Sequence, residues 1–234
     1  MMKKWLSLLL ALILLLPLAA CSSADFMYED EDEEDEESEE QVKRVKVNGK
    51  YVKVGDVITF GKLAGNNVQW VITDLKVVND QIVGFLITKD IVFNPNGWGE
   101  DLTWKNSQLK IAAEKNFWGI LDADKSRVLK TKFAVPEGEA TGCVWVPSVA
   151  EIEAMQKNEA LKDYVAAGPA KSATGVKVAI GKKTANYYLR DIGENGLVSG
   201  VNTEGEIKLG FSPAASTQNA IGVRFCICLD LGEA

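Results

Sequence analysis

The 234-residue chain has no histidine. That removes Ser–His–Asp and Cys–His nucleophile pairs, an imidazole general base and any zinc site built on imidazole. Thiols, carboxylates, two arginines and one aromatic loop remain. Cys143, Cys226 and Cys228 are the thiols downstream of residue 21. Residues two apart on a strand share a face and rarely bridge one another. The expected disulfide therefore joins Cys143 to Cys226 or to Cys228, with the third thiol buried. Closing a loop of that length contributes up to about 4–5 kcal/mol in the chain-entropy model. Two alternatives stay open: three free buried thiols, or a three-thiolate Cu(I) site, since soft thiolates suit that ion.

Arg190 and Arg224 sit in apolar strand contexts. Each is either an anion-binding or catalytic group, or a structural one paired with a carboxylate such as Asp191 or Glu151; the structural role is expected. Glu151 and Glu153 face different directions on a helix, so they make a poor acid–base pair. Ser148-Val149-Ala150-Glu151 reads instead as a capping box. The most site-like segment runs from Phe93 to Asp101. It is rich in Pro, Gly and Asn, and it carries Asn94, Asn96, Trp98, Glu100 and Asp101. A tryptophan with amides and acids can stack on a sugar and hydrogen-bond its hydroxyls. With Trp104, Tyr187 and Asn202 this loop could line a shallow groove; the plainer alternative is a surface loop whose tryptophan tucks into the core.

These side chains need a scaffold, and the pattern supplies one. Arg44–Val54 carries Asn48-Gly49, a strong hairpin signal. Val57–Phe60, Val68–Val78 and Gln81–Thr88 are β-branched strands that form an antiparallel meander. A helix starts at Asn106 or Ser107 and runs to about Phe117, and Asp122 or Asp124 starts a short one to about Lys130. Cys143–Val146 reads as a buried strand ended by Pro147. The capping box opens the next helix, with Ile152 and Met155 inside, and Asn158–Ala167 reads as a further helix. Asn186–Asp191, Leu197–Asn202, Glu206–Gly210 and Ile221–Leu229 read as strands, the middle two joined by a Thr203-Glu204-Gly205 turn. The order strands, helices, strands predicts an α+β domain, mainly antiparallel sheet with two to four helices.

The ends and the charge set the context. The net charge of −7 is uneven, because residues 1–41 hold 12 of the 33 acids and only two of the 26 bases. The remainder is about +3, too weak a surplus to point to nucleic acid. Lys3 and Lys4 precede an apolar run from Trp5 to Leu16, short for a membrane span. Leu18-Ala19-Ala20-Cys21 follows, and this arrangement resembles the bacterial lipoprotein signal. The resemblance implies cleavage before Cys21, a diacylglyceryl group on its thiol and an acylated (palmitate-type) new N-terminus, which holds a protein firmly at about 0.8 kcal/mol per buried CH₂. The expected location is the extracytoplasmic face of the cell membrane, where thiols oxidise. Glu29–Glu40 has acids at every position except Ser38. Such a run repels itself into an extended tether and reads as a spacer, calcium buffering or capture of a basic partner being the alternative. The division is then residues 1–20 signal peptide, 21–41 lipidated acidic tether and 42–234 one domain.

Several segments resemble, in order, the bacterial family catalogued as domain of unknown function 6273. They are Gly55-Asp56-Val57-Ile58-Thr59-Phe60-Gly61 with Trp70; Leu102-Thr103-Trp104 with Ser107-Gln108-Leu109-Lys110; Tyr187-Tyr188-Leu189-Arg190; Val201–Gly205; and Ile221-Gly222-Val223-Arg224. That family is similar to the C-type-lectin-like fold of formylglycine-generating enzymes. Trp145-Val146-Pro147-Ser148 with Glu151 and Glu153 resembles their strand, proline, capping hydroxyl and acidic helix. Cys226-Ile227-Cys228 departs from the spacing of those enzymes' thiols, and Asp191-Ile192-Gly193 replaces the usual Ser-Pro-Gly. Glu-Pro-Asn and Trp-Asn-Asp triplets of calcium-dependent lectins are absent. The resemblance implies a lectin-like fold and, by analogy, binding. The expectation is a non-catalytic, membrane-tethered module that recognises a glycan or a surface protein. An enzyme using Cys226 and Cys228, a carboxylate-only hydrolase or a structural envelope component are the alternatives. No resident cofactor is expected, with calcium and copper left open.

Overall fold

The computed structural model describes residues 44–47, 49–78, 81–95, 97–99, 101–168, 185–193, 196–212 and 221–233. The expected signal peptide, Cys21 and the acidic tether lie outside them. So do Asn96 and Glu100 of the aromatic loop.

Strands dominate, and all the strand ladders are antiparallel. The first hairpin is β1 (Val45–Val47) with β2 (Lys50–Val52). Val47 pairs with Lys50, and Gly49 takes φ 79°, the left-handed conformation that a two-residue turn requires. The meander follows as β3 (Val57–Leu63), β4 (Asn66–Val78) and β5 (Gln81–Thr88). The last strand of the chain, β12 (Cys226–Glu233), inserts beside β5, and the short β6 (Val128–Leu129) closes the far edge. The five-stranded order is β3-β4-β5-β12-β6. β5 and β12 are buried at nearly every position, on both faces, so this sheet is covered on both sides.

α1 (Gln108–Ile111) starts at Ser107, whose hydroxyl accepts from Lys110 N–H, as the capping signal predicts. It then widens into a π-helix over Ala112–Trp118, where Gly119 N–H donates to Glu114 five residues back. Phe117 from this segment packs edge-on against Trp70 of β4 and stacks on Phe225 just before β12. α2 (Val149–Lys157) carries the complete capping box and buries Ile152 and Met155.

Several expectations change. Asp124 caps only a three-residue 3-10 turn, Lys125–Arg127, and Val128–Leu129 is strand, because β12 offers an open edge there. Residues 131–142 form an unforeseen hairpin, β7 (Thr131–Val135) with β8 (Gly138–Gly142). The stretch around Trp145 is not a full strand: its single bridge joins Trp145 to Cys226. Asn158–Ala167 yields one 3-10 turn, Lys162–Tyr164, rather than a helix.

The smaller sheet has the order β11-β10-β9, from β9 (Tyr187–Ile192), β10 (Val198–Val201) and β11 (Ile207–Phe211). Before β12, Gly222 bridges Tyr187 and Val223 bridges Phe93, so the segment expected as one long strand contacts two separate elements before entering the large sheet. The α+β class with mainly antiparallel sheet is what the chain adopts.

Candidate functional site

Most of the residues with chemical potential converge where β9, β12, α2 and β7 meet. Arg190 leaves β9 almost fully enclosed, 4% exposed. Its guanidinium makes a two-point contact with Glu151, Nη1 to Oε2 at 2.7 Å and Nη2 to Oε1 at 3.1 Å. Nη1 also donates to Val146 O and Nε to Ala134 O, both at 2.7 Å. The plane lies 5.5 Å from the Phe133 ring centroid, and Phe133 stacks on Trp145. Trp145 Nε1 donates to Glu151 Oε1 at 3.3 Å, and Ser148 N–H donates to Oε2 at 2.8 Å. One carboxylate thus completes the capping box, receives the indole and neutralises the arginine. Burial alone would push the Glu151 carboxyl up; the Arg190 charge and these donors outweigh it and hold the group below its usual range.

Asp191, the next residue of the same strand, is half-buried and accepts from Val149 N–H at 2.7 Å, at the start of α2. Desolvation dominates there and raises its carboxyl, although the α2 amide and Arg190 work against the rise. Asp191 is therefore a second anchor for the helix, while Glu151 is the ion-pair partner of Arg190.

The three thiols are unbonded in the structure, so the expected disulfide from Cys143 is not formed. Cys226 is enclosed, and burial, helped by the Glu151 charge, holds its thiol well above the ordinary value. Cys228 is pushed up to about 11 by burial. Both are poor thiolates. Among the described residues no group of three or more Cys, Asp or Glu is placed to hold a metal. Cys143, Cys226 and Cys228 all lie among the described residues and do not come together as the three-thiolate copper arrangement.

The aromatic groove does not form at the surface either. Trp98 is 0% exposed, and its Nε1 donates to Leu189 O at 3.0 Å. Trp104 is 3% exposed and packs edge-on against Phe133. Tyr187 is fully buried, with its hydroxyl donating to Val165 O at 2.8 Å. These rings build the core, where burying each aromatic surface removes more apolar area from water than a shallow sugar contact would. Asn94, with its amide nitrogen turned to suit its neighbours, donates to Ile221 O. Asn202 organises the β10–β11 turn: its Oδ1 accepts from Glu204 and Glu206 N–H, and its Nδ2 donates to the Glu206 carboxylate. Asp101 remains exposed beside Asn106, whose amide donates to it and lowers its carboxyl. Of the described ligand candidates, Asp101 alone is a fully exposed polar group.

Sequence reasoning missed Glu137. From the β7–β8 turn it accepts from both Trp104 N–H (2.9 Å) and Lys105 N–H (2.8 Å). These bonds prevail over desolvation and lower its carboxyl. The only local hint is an acid inside Pro136-Glu137-Gly138; its partners lie more than thirty residues back. No protein-family model, curated protein or solved structure matches the chain.

Proposed function

We propose that the chain is an extracytoplasmic lipoprotein, anchored through Cys21, whose α+β domain is a non-catalytic binding module of C-type-lectin-like type. Its similarity to domain of unknown function 6273 belongs to the same proposal. One observation carries the non-catalytic part. The groups that could do chemistry are spent on structure: enclosed Arg190 and half-buried Glu151 on each other, Cys226 and Cys228 as protonated buried thiols. Recognition of a glycan or a surface protein then falls to exposed loops, with the Asp101–Asn106 segment the best polar candidate. The leader and tether resemblance supports the location.

The test expresses the full-length chain in a bacterium fed an alkyne fatty acid. Labelled protein in the membrane fraction, lost in Cys21→Ser, supports the anchor; unlabelled, unprocessed protein in the cytoplasm overturns it. The purified chain is then applied to glycan arrays and to intact cells. Binding weakened at least about tenfold by Asp101→Ala with Asn106→Ala supports the module, at the roughly 1.4 kcal/mol that tenfold represents. Turnover that disappears in Cys226→Ser, with the fold intact by circular dichroism, overturns it.

A further inference from the structure

The β1–β2 hairpin carries a positive charge that no described carboxylate answers. Its register sets Val45 opposite Val52 and Lys46 opposite Tyr51, and one further step sets Arg44 opposite Lys53. Side chains paired across an antiparallel ladder share a face, and residues two apart on one strand share it too. Val45 and Val52 point toward the core, Val45 buried and Val52 half-buried. Arg44, Lys46, Tyr51 and Lys53 alternate with them and are all exposed. Tyr51 is 63% exposed, more than any other large apolar side chain among the described residues. The Arg44 guanidinium lies 4.8 Å from its ring centroid, so the tyrosine helps to hold one cation of the face in place. Lys50 adds a fourth cation at the turn. None of these four cations makes an ion pair among the described residues. The next acid along the chain, Asp56, accepts from the Lys53 amide.

Like charges set directly opposite on a ladder destabilise it, and Arg44 stands opposite Lys53. A counter-charge on this face is therefore favoured, and the chain itself carries one. Residues 32–40 hold eight acids and no base, and only Gln41-Val42-Lys43 separates them from Arg44. We propose that this acidic segment, outside the described residues, folds back across Gln41–Lys43 and docks on the face made by Arg44, Lys46, Tyr51 and Lys53. A turn reverses a chain within four residues, so the link is long enough. Nine extended residues span about 30 Å and the four positions 44–47 of the hairpin about 14 Å, so the acids can follow its whole length. Exposed ion pairs are individually weak, but a short link holds the acids at an effective concentration in the millimolar range. A second copy's acidic segment or a foreign polyanion must compete with a ligand already attached. The consequence is a guarded surface, which opens to a polyanion only when the segment is displaced or screened by salt. This inference does not depend on the lipid anchor or on the binding-module reading.

Zero-length carbodiimide coupling of the full-length chain at low ionic strength tests the contact, read by mass spectrometry on the monomer. Carboxylates of residues 32–40 should join Lys46, Lys50 and Lys53 in preference to Lys115 and Lys132, which are equally exposed but lie elsewhere in the fold. The preference should fade at about 0.5 M salt, where the Debye length shrinks to a few ångströms. A fluorescent heparin oligosaccharide, used as the polyanion probe, tests the guarding. Replacing each Asp of the segment by Asn and each Glu by Gln should tighten its binding at least about tenfold. Adding Arg44→Gln, Lys46→Gln and Lys53→Gln should remove that gain. These three positions are exposed, so the fold should survive, and circular dichroism checks it. Couplings spread evenly over the lysines, couplings found only in dimers, a probe affinity unchanged by neutralising the segment, or a gain that survives the hairpin substitutions would each overturn the proposal.

Discussion

At the level of single residues, the junction around Arg190 concentrates the electrostatics. Glu151→Gln keeps the capping box, since the single oxygen of glutamine can still accept from the Ser148 amide; it removes the charge and also the second acceptor, which takes from Arg190 Nη2 and Trp145 Nε1. A buried arginine without its partner costs about 3–5 kcal/mol in a sealed interior. Glu151's side chain is 39% exposed, which discounts the figure to about 2–3 kcal/mol; urea unfolding at pH 7 measures it. The acid limb of stability follows from the same groups. Glu151 and Glu137 have lowered carboxyls, so their stabilisation is complete above the unfolded value of 4.5 and is lost as pH falls through their folded values. Asp191 runs the other way. Its carboxyl is raised above 3.8, so the folded state takes up the proton first, and its unfavourable charge is relieved as pH falls toward 3.8. Asp191→Asn should therefore be most stabilising, relative to wild type, at neutral pH, with the difference shrinking just above pH 3.8. A difference that grew on acidification would refute that assignment. The thiols give a simpler readout. Native alkylation at pH 8 should modify half-buried Cys143 and spare Cys226 and Cys228 until the chain is unfolded. Mass spectrometry of the digested adducts, with Cys21 set aside, decides it.

At the level of elements, what was readable in the sequence was local. The β1–β2 hairpin, the β-branched meander and the Ser148 capping box are written in neighbouring residues, and each appears where the pattern places it. Ser148→Ala should cost about 1 kcal/mol, within the usual 0.5–2 for a lost N-cap, and denaturant midpoints check it. The failures are equally physical. Residues 158–167 have helical composition, yet the Tyr164 carbonyl is taken by Arg224 and the Val165 carbonyl by Tyr187. Those carbonyls would have carried the next helical turn, and their donors lie more than twenty residues away. Val128–Leu129 carries the pattern of a helix end, because nothing nearby in the sequence announces the free edge of β12. The loop at Trp98 carries a sugar-binding composition, but a tryptophan with a backbone acceptor in reach of Nε1 is as well suited to a core. Leu189 O, ninety-one residues away, supplies that acceptor. Composition proposes such a residue's chemistry; only the tertiary partner decides whether it faces solvent.

The whole molecule is closed by its last strand. β12 registers with β5 from Cys226↔Ile87 to Glu233↔Gln81 and with β6 on its other side, so the centre of the large sheet is not complete until the final residues arrive. Phe225, immediately before it, stacks on Phe117 of the π-helix, and Cys226 bridges Trp145 beside the Arg190 junction. Pairings of such wide sequence separation must pay loop-closure entropy before they return anything, which slows folding and makes it cooperative. The two ends of the chain should then differ sharply. Removing residues 1–41 deletes the proposed anchor and tether but none of these ladders, and should leave the unfolding midpoint within a few degrees of the full chain. Ending the chain at Phe225 deletes the strand that joins β5 to β6, exposes Ile87 and Leu86 of β5 along an unpaired edge, and should abolish cooperative unfolding while promoting aggregation. Circular dichroism melts and size-exclusion profiles of the two truncations separate the outcomes. A sharp transition in the C-terminal truncation would mean that β12 is an accessory strand, and that the core is held by the meander and helices alone.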